Sequence, residues 1–312
     1  MKRRFVFNPS AGRAVSSRKL QKLKDFFAQV TGSFDYIIPQ GRAGTISETR
    51  KALHEGIDQI VAVGGDGTLN AVVNGFFENG ALIRPEACLA IAPVGTGSDY
   101  FRSIKGELKK SAWPDIVLKP QVKAVDVGVL RMDCGGAAGK SEPRYFINAT
   151  SFGMSAEIVQ EKERSFPLWL PRSMAYLVPT LKKGLCPKSV RATLRIDGNS
   201  TDVEIMAMFV SKGRYAGGGM RFAAGASLDD GFFEVTVFGK LSVMDVLMNL
   251  GSLYSGDFSK VPGVSKYKAS RVDIECVKPV AVEYDGEPEG VTPADVCLLP
   301  KALNVCFPSN SL

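Results

Sequence analysis

The 312-residue chain holds one histidine, two tryptophans and six cysteines, with no CxxC pair and no apolar stretch long enough to cross a bilayer. Each shortage excludes something. His54 stands alone in the charged segment ETRKALHEG, so no histidine-based triad or metal cage can be assembled, and it reads as a solvated helix residue. Cys88, Cys134, Cys186, Cys276, Cys297 and Cys306 fall singly, several inside apolar runs, where a reduced cysteine acts as a small hydrophobe. Neither a disulfide framework nor a thiolate metal site is indicated. The N-terminal MKRRFVFNPSAG is basic, but its apolar run Phe5–Phe7 is too short for a signal-peptide core, and a cytoplasmic protein is expected. Low-complexity segments and internal repeats are absent as well. Acid and base chemistry is left to carboxylates, lysines and tyrosines.

What is present is ordinary globular material, 45% hydrophobic and 23% charged, in a length that suits two domains. The net charge of +7 would attract nucleic acid, anionic lipid or phosphorylated substrates. The basic residues do not interleave with aromatics in a nucleic-acid pattern. Lys19, Lys22 and Lys24 read as the wet face of one helix, so no nucleic-acid partner is expected. From residue 1 to about 122, short apolar segments (RRFVF, FDYIIP, DQIVAV, CLAIAPV) alternate with helical ones (SSRKLQKLKDFFAQV, TISETRKALHEG, TLNAVVNGFFENG), the pattern of a doubly wound, mostly parallel Rossmann-like α/β sheet. From 123 to 312 strands dominate. In SVRATLRID and ASRVDIECV, apolar residues alternate with polar ones as in half-buried antiparallel strands, which predicts a β-sandwich or barrel with helices near 152–164 and 242–254.

The chemistry concentrates in glycine turns. Gly64-Gly65-Asp66-Gly67 joins the apolar run 58–63 to a segment with Leu69, Val72, Val73 and Phe76 at helical spacing, placing the turn at a helix N-terminus. Free backbone N–H groups and the positive helix end favour an anion there, and glycine lets a phosphate approach the main chain. The turn is neither GxxxxGK[ST] nor GxGxxG, and a tight strand-to-helix connection without a ligand would look the same. Asp66 weighs against that plain reading, because an acid among phosphate-facing amides calls for Mg²⁺ or a metal-bound water between them. NPSAG (8–12) and PVGTGSD (93–99) follow the first and fourth strands, and loops at the carboxyl ends of a doubly wound sheet converge on one crevice.

In their order and spacing, NPSAG, GGDGTLNAVVNG and PVGTGSD resemble the catalytic domain of the diacylglycerol kinase family, the lipid kinases that include bacterial diacylglycerol, sphingosine and ceramide kinases. GGDGT alone is shared with NAD kinases and phosphofructokinases. RYFINATSFGMSAEIV, GRYAGGGMRFAAGASLDDGFFEV and VEYDGE resemble the family's second domain, so the likeness covers nearly the whole chain. It implies an ATP- and Mg²⁺-dependent lipid kinase, a phosphotransferase with an alcohol acceptor, working in the interdomain cleft. Asn8, Pro9, Ser10, Ala11 and Gly12, then Gly64, Gly65, Asp66, Gly67, Thr68, Leu69 and Asn70, then Gly95 and Thr96, would surround ATP. A structural Mg²⁺ would be held by the Asp230 side chain with the carbonyls of Ser227 and Phe232. The catalytic base would lie in Asp285-Gly286-Glu287, Asp66 would organise the Mg²⁺ on the phosphates, and Asp126 would support it through water. Three positions depart from the family pattern: Ser98 for Asn, Ala224 for Pro, and Ile38-Pro39-Gln40 where a Thr is usual.

Read from the residues, Asp285 and Glu287 emerge two apart at a strand end, on one side if the strand continues. Carboxylates there are often solvated turn residues. Opposite a phosphate pocket, the pair is the natural acceptor for a hydroxyl proton, with its members acting jointly. In 165–185, Phe166, Leu168, Trp169 and Leu170 lie between Arg164 and Arg172, with prolines at 167 and 171. Residues 165–172 read either as a membrane-surface contact, making the kinase peripheral at the inner membrane face, or as ordinary packing. A soluble-substrate kinase of the NAD kinase superfamily and a noncatalytic nucleotide- or lipid-binding homologue are the alternatives. The acceptor lipid and the oligomeric state, a homodimer included, stay open.

Overall fold

The computed structural model describes residues 1–7, 17–31, 35–94, 98–105, 113–132, 141–165, 183 and 188–309. It divides into two compact units, Met1–Val125 with Lys301–Leu312, and Asp126–Pro300. The sequence expectation placed 301–312 in the second unit. Nothing in its local pattern marks the return, because the partners of that segment are distant in sequence.

The first unit begins β1 (Arg3–Phe7), α1 (Ser17–Thr31), β2 (Tyr36–Ile37), α2 (Gly41–His54), β3 (Gln59–Gly64) and α3 (Asp66–Phe76). A small hairpin, β4 (Phe77–Glu78) and β5 (Ala81–Leu82), precedes β6 (Cys88–Pro93), α4 (Asp99–Ile104), α5 (Trp113–Leu118) and the start of β7 (Gln121–Met132). Strand order is β2-β1-β3-β6, all parallel, and Asn304 and Val305 pair in parallel with Cys88 and Leu89 on the far side of β6. Every residue of β3 (QIVAVG) and β6 (CLAIAP) is buried, as a parallel sheet covered on both faces requires. Helices α2 and α3 approach closely because Gly75 carries no side chain: a Cβ there would stand 2.5 Å from Thr49 Cβ. Thr45 and Thr49, buried in that contact, donate their hydroxyls to the carbonyls one turn back, at 2.8 Å each.

The second unit holds the rest of β7, then β8 (Arg144–Phe146), β9 (Ala149–Gly153), α6 (Met154–Ser165), β10 (Val190–Ile196), β11 (Asn199–Ile205), β12 (Ala207–Ser211) and β13 (Phe233–Phe238). Two short helices, α7 (Val243–Met248) and α8 (Ser252–Ser255), lead to β14 (Val264–Ala269), β15 (Arg271–Cys276), β16 (Ala281–Tyr284), β17 (Glu287–Val291) and β18 (Ala294–Phe307). One antiparallel sheet runs β14-β13-β12-β9-β16-β17. Facing it are β11-β10-β15 and the first half of β18, with β7 paired to β18 and β8. Leu194, Ile274 and Val296 from the second group meet Phe152, Val210 and Val235 from the first in one buried cluster, which makes the unit a sandwich. The alternation read in β10 holds, with Ala192, Leu194 and Ile196 buried and Arg191 and Arg195 exposed. The helix expected over 242–254 is instead two pieces. A capping box between Ser242 and Asp245 starts the first, which ends at Asn249, and Gly251 then opens the second.

Candidate active site

In the first unit, the register sets Phe7 beside Val63 and Gly64 beside Pro93, so the chain leaves β1, β3 and β6 at one sheet edge. Strand β1 lies between β2 and β3, so successive crossovers depart on opposite sides of it, the topological switch where α/β sheets take ligands. Asn8 to Gly12, Gly95 and Thr96 belong to this edge by sequence but lie outside the described residues. The turn after β3 is described, and it is tight. A Cβ on Gly64 would stand 2.3 Å from Thr68 Oγ1, so only glycine lets the strand pass into α3 at this spacing. The N-cap of α3 is Gly65, which has no side chain to offer the first-turn amides, leaving the positive end of an eleven-residue helix open to an anion. Among the described residues Thr68 Oγ1 is buried without a hydrogen-bond partner, and so is Ser98 Oγ, at a residue held in the left-handed region (φ 56°). Uncapped amides and orphaned hydroxyls fit the phosphates of a nucleotide.

Asp66 and Asn70 are already engaged. The Asp66 carboxylate accepts the Asp99 amide at 3.2 Å and, at a long 3.5 Å, the Tyr100 amide, tying α3 to the start of α4. Asn70 Oδ1 accepts from Arg42 Nη2 at 2.6 Å and from Asn74 Nδ2 at 3.0 Å, bracing α3 against α2, while Leu69 is buried in the core.

In the second unit the Asp285–Gly286 stretch departs from expectation. The strand does not continue: Tyr284 pairs with Glu287 across a two-residue hairpin, with φ 48° at Asp285 and 86° at Gly286. An Asp-Gly pair favours this left-handed turn, so the two acids sit on opposite sides of a reversal and not on one face of a strand. Asp285 is 8% exposed, and its carboxylate accepts three backbone amides, Ile147 at 3.1 Å, Asn148 at 3.0 Å and Ala149 at 2.9 Å. Buried Glu283 accepts from Ser151 Oγ and from the Gly286 amide at 2.8 Å. The carboxylate of half-buried Glu287 has no hydrogen-bond partner among the described residues. Of the acids near this turn it is therefore the one left to receive a proton. Arg144 holds Glu289, which also accepts from Tyr284 Oη at 2.9 Å; that ion pair pushes the Arg144 guanidinium above its ordinary value against the opposing effect of burial.

Two of the three residues expected to hold a structural Mg²⁺, Asp230 and Phe232, meet a lysine ammonium. Lys212, just past β12, is wholly buried, and its ammonium donates to Asp126 Oδ2 at 2.7 Å, Asp230 Oδ1 at 2.9 Å and the Phe232 carbonyl at 2.8 Å. Asp126 also accepts the Gly231 amide at 2.8 Å. Burial works to raise the Asp230 carboxyl, but the Lys212 ammonium, with help from the Phe232 amide and Lys268, holds it below its ordinary value. Ser227 Oγ turns to Asp229, at 3.0 Å. Sequence reading missed Lys212, although a lysine closing the apolar strand AMFVS and an aspartate inside VDVGVL were both signals of a buried pair.

Comparison with known proteins supplies the family. The diacylglycerol kinase catalytic domain matches residues 2–130, and the YegS C-terminal NAD kinase beta sandwich-like domain matches 148–307. A curated relative, the diacylglycerol kinase of Staphylococcus aureus strain JH9, is 26% identical over 309 residues, 98% of this chain and 92% of the relative. Among solved structures, a diacylglycerol kinase from Bacillus anthracis superposes with a TM-score of 0.71 at 20% identity, covering 100% of this chain and 98% of that one. Yeast NADH kinase complexed with NADH reaches 0.56 at 11% identity, covering 100% and 84%, a likeness of fold. The α/β unit with its open helix N-terminus, the sandwich and both domain matches agree, and the chain belongs to the diacylglycerol kinase family.

Proposed function

We propose that the chain is an ATP-dependent lipid kinase that moves the γ-phosphoryl group onto a lipid hydroxyl, with diacylglycerol the first acceptor to test. The observation that carries the reading is the turn Gly64–Thr68: an uncapped helix N-terminus and an orphaned, buried hydroxyl at the switch point of a parallel sheet. The amides of Gly65, Gly67 and Thr68 would hold phosphate oxygens, with Asn8 to Gly12, Gly95 and Thr96 completing the nucleotide site. Bound ATP supplies the transferable group, and the Mg²⁺ that accompanies it offsets the negative charge of the phosphates. Asp66 positions the start of α4 and can accept a hydrogen bond from a metal-bound water.

Glu287 is the proposed base. Its carboxylate takes the proton as the hydroxyl oxygen bonds to phosphorus and the bond to the ADP oxygen breaks. Asp285, saturated by three amides, shapes the turn that presents Glu287 and is not itself the proton acceptor. A metaphosphate-like transition state asks little of a base, so positioning and charge carry most of the acceleration. No helix among the described residues is long and apolar enough to cross a membrane, and residues 165–172, of which 166–172 lie outside the described residues, are the proposed point of transient contact with a lipid surface.

The test is transfer from radiolabelled ATP to detergent-dispersed diacylglycerol. The wild type should label the lipid, and Glu287→Gln should lose about 10²-fold or more in kcat while melting like the wild type. Equal activity in Glu287→Gln would remove Glu287 from the chemistry. The fold shared with yeast NADH kinase motivates one control, NADH as acceptor, and preferential labelling of the dinucleotide would replace the lipid reading.

A further inference from the structure

We infer that Lys212 serves as a built-in cation in the sandwich unit, its ammonium taking the place at Asp230 and the Phe232 carbonyl where the family resemblance puts a structural Mg²⁺. Three observations support this. An ammonium has three N–H donors and no acceptor, and Lys212 spends one each on Asp126 Oδ2, Asp230 Oδ1 and Phe232 O, at 2.7, 2.9 and 2.8 Å. None is left over. Two of those three oxygens are the side-chain and carbonyl ligands expected of the metal. Mg²⁺ would need both at about 2.1 Å in a near-octahedral shell, which the ammonium blocks sterically and by charge.

The local charge is balanced as well. Lys212 and Lys268, the latter 3.5 Å from Asp230 Oδ2, face Asp126 and Asp230, two cations against two carboxylates. A divalent ion added there would meet a neutral cluster, while the third expected ligand is a neutral carbonyl. The Lys212 side chain is 0% exposed, so its charge cannot relax into water and must be answered by these acids. The turn Asp229–Phe232 is drawn toward β12 by that ammonium, and the Gly231 amide on Asp126 fixes it from the other side. The loop thus has from the chain what the resemblance assigns to a metal.

Thermal unfolding of the full-length protein without nucleotide tests this independently of kinase activity. The wild type should melt at the same temperature in EDTA and in millimolar MgCl₂. Lys212→Asn, which removes the ammonium and leaves two acids and a carbonyl together, should melt lower in EDTA and regain about 5 °C in MgCl₂, as a site filled well above its Kd would. Should Lys212→Asn not fold, Asp230→Asn decides: it should destabilise by the same amount with and without Mg²⁺. A Mg²⁺-dependent rise in wild-type melting temperature that Asp230→Asn abolishes would overturn the inference.

Discussion

Thr68 and Gly64 face each other across the turn proposed to hold phosphate, and they make opposite predictions. Thr68→Val keeps the shape and removes an orphaned buried hydroxyl, so the free protein should melt at the same temperature or slightly higher while KM for ATP rises about tenfold. An unchanged KM would show that the hydroxyl meets no nucleotide. Gly64→Ala instead drives a methyl group to 2.3 Å from Thr68 Oγ1 and should cost about 1–3 kcal/mol in urea unfolding. Cys88 gives a third test. The Cys306 thiol at 3.5 Å and burial together push its own thiol well up, so iodoacetamide at pH 8 should alkylate half-buried Cys297 long before Cys88, as peptide mass spectrometry would show. At this scale the sequence revealed the turn and its aspartate, because glycine spacing after an apolar run is a local signal. It did not reveal that Asp66 and Asn70 are held by Asp99 and Arg42, since those partners come from other elements.

The hairpin β16–β17 separates two acids that the motif presents as a pair. Asp285→Ala would strip three amides of their acceptor in a buried turn and should destabilise the sandwich by about 3 kcal/mol or more. Glu287→Gln touches no hydrogen bond among the described residues and should leave stability alone. Chemical denaturation of the two variants side by side distinguishes an acid that builds the turn from one that the turn displays. Alternation up to Tyr284 and the Asp-Gly pair are both legible, but whether the strand continues past them, which decides if the two acids share a face, is settled only by the left-handed backbone at Asp285 and Gly286. The split of the 242–254 helix has a similar cause: apolar spacing continues through Asn249 and Gly251, while the backbone does not.

At the scale of the molecule, the division of labour between an α/β unit and a sandwich was legible because their periodicities differ, 3.6 residues alternating with short apolar runs in one and 2.0 in the other. The path of the chain between them was not. It passes from the first unit to the second within β7, after Val125, and returns within β18, after Pro300. Buried Leu303, Val305 and Cys306 then complete the sheet beside β6. Removing residues 301–309 strips apolar burial on the order of 5 kcal/mol from the first unit, a large fraction of the stability of a typical domain. A fragment of residues 1–125 should therefore be aggregation-prone, and fusing residues 301–309 to it through a flexible linker should recover cooperative melting by circular dichroism; a soluble, cooperatively melting 1–125 fragment would remove β18 from that role. The threading also sets an order of events during synthesis. The α/β half is translated first but cannot close its sheet until the ribosome has read through the whole sandwich, a delay on the order of ten seconds or more, so the half that begins the protein is the last to be finished.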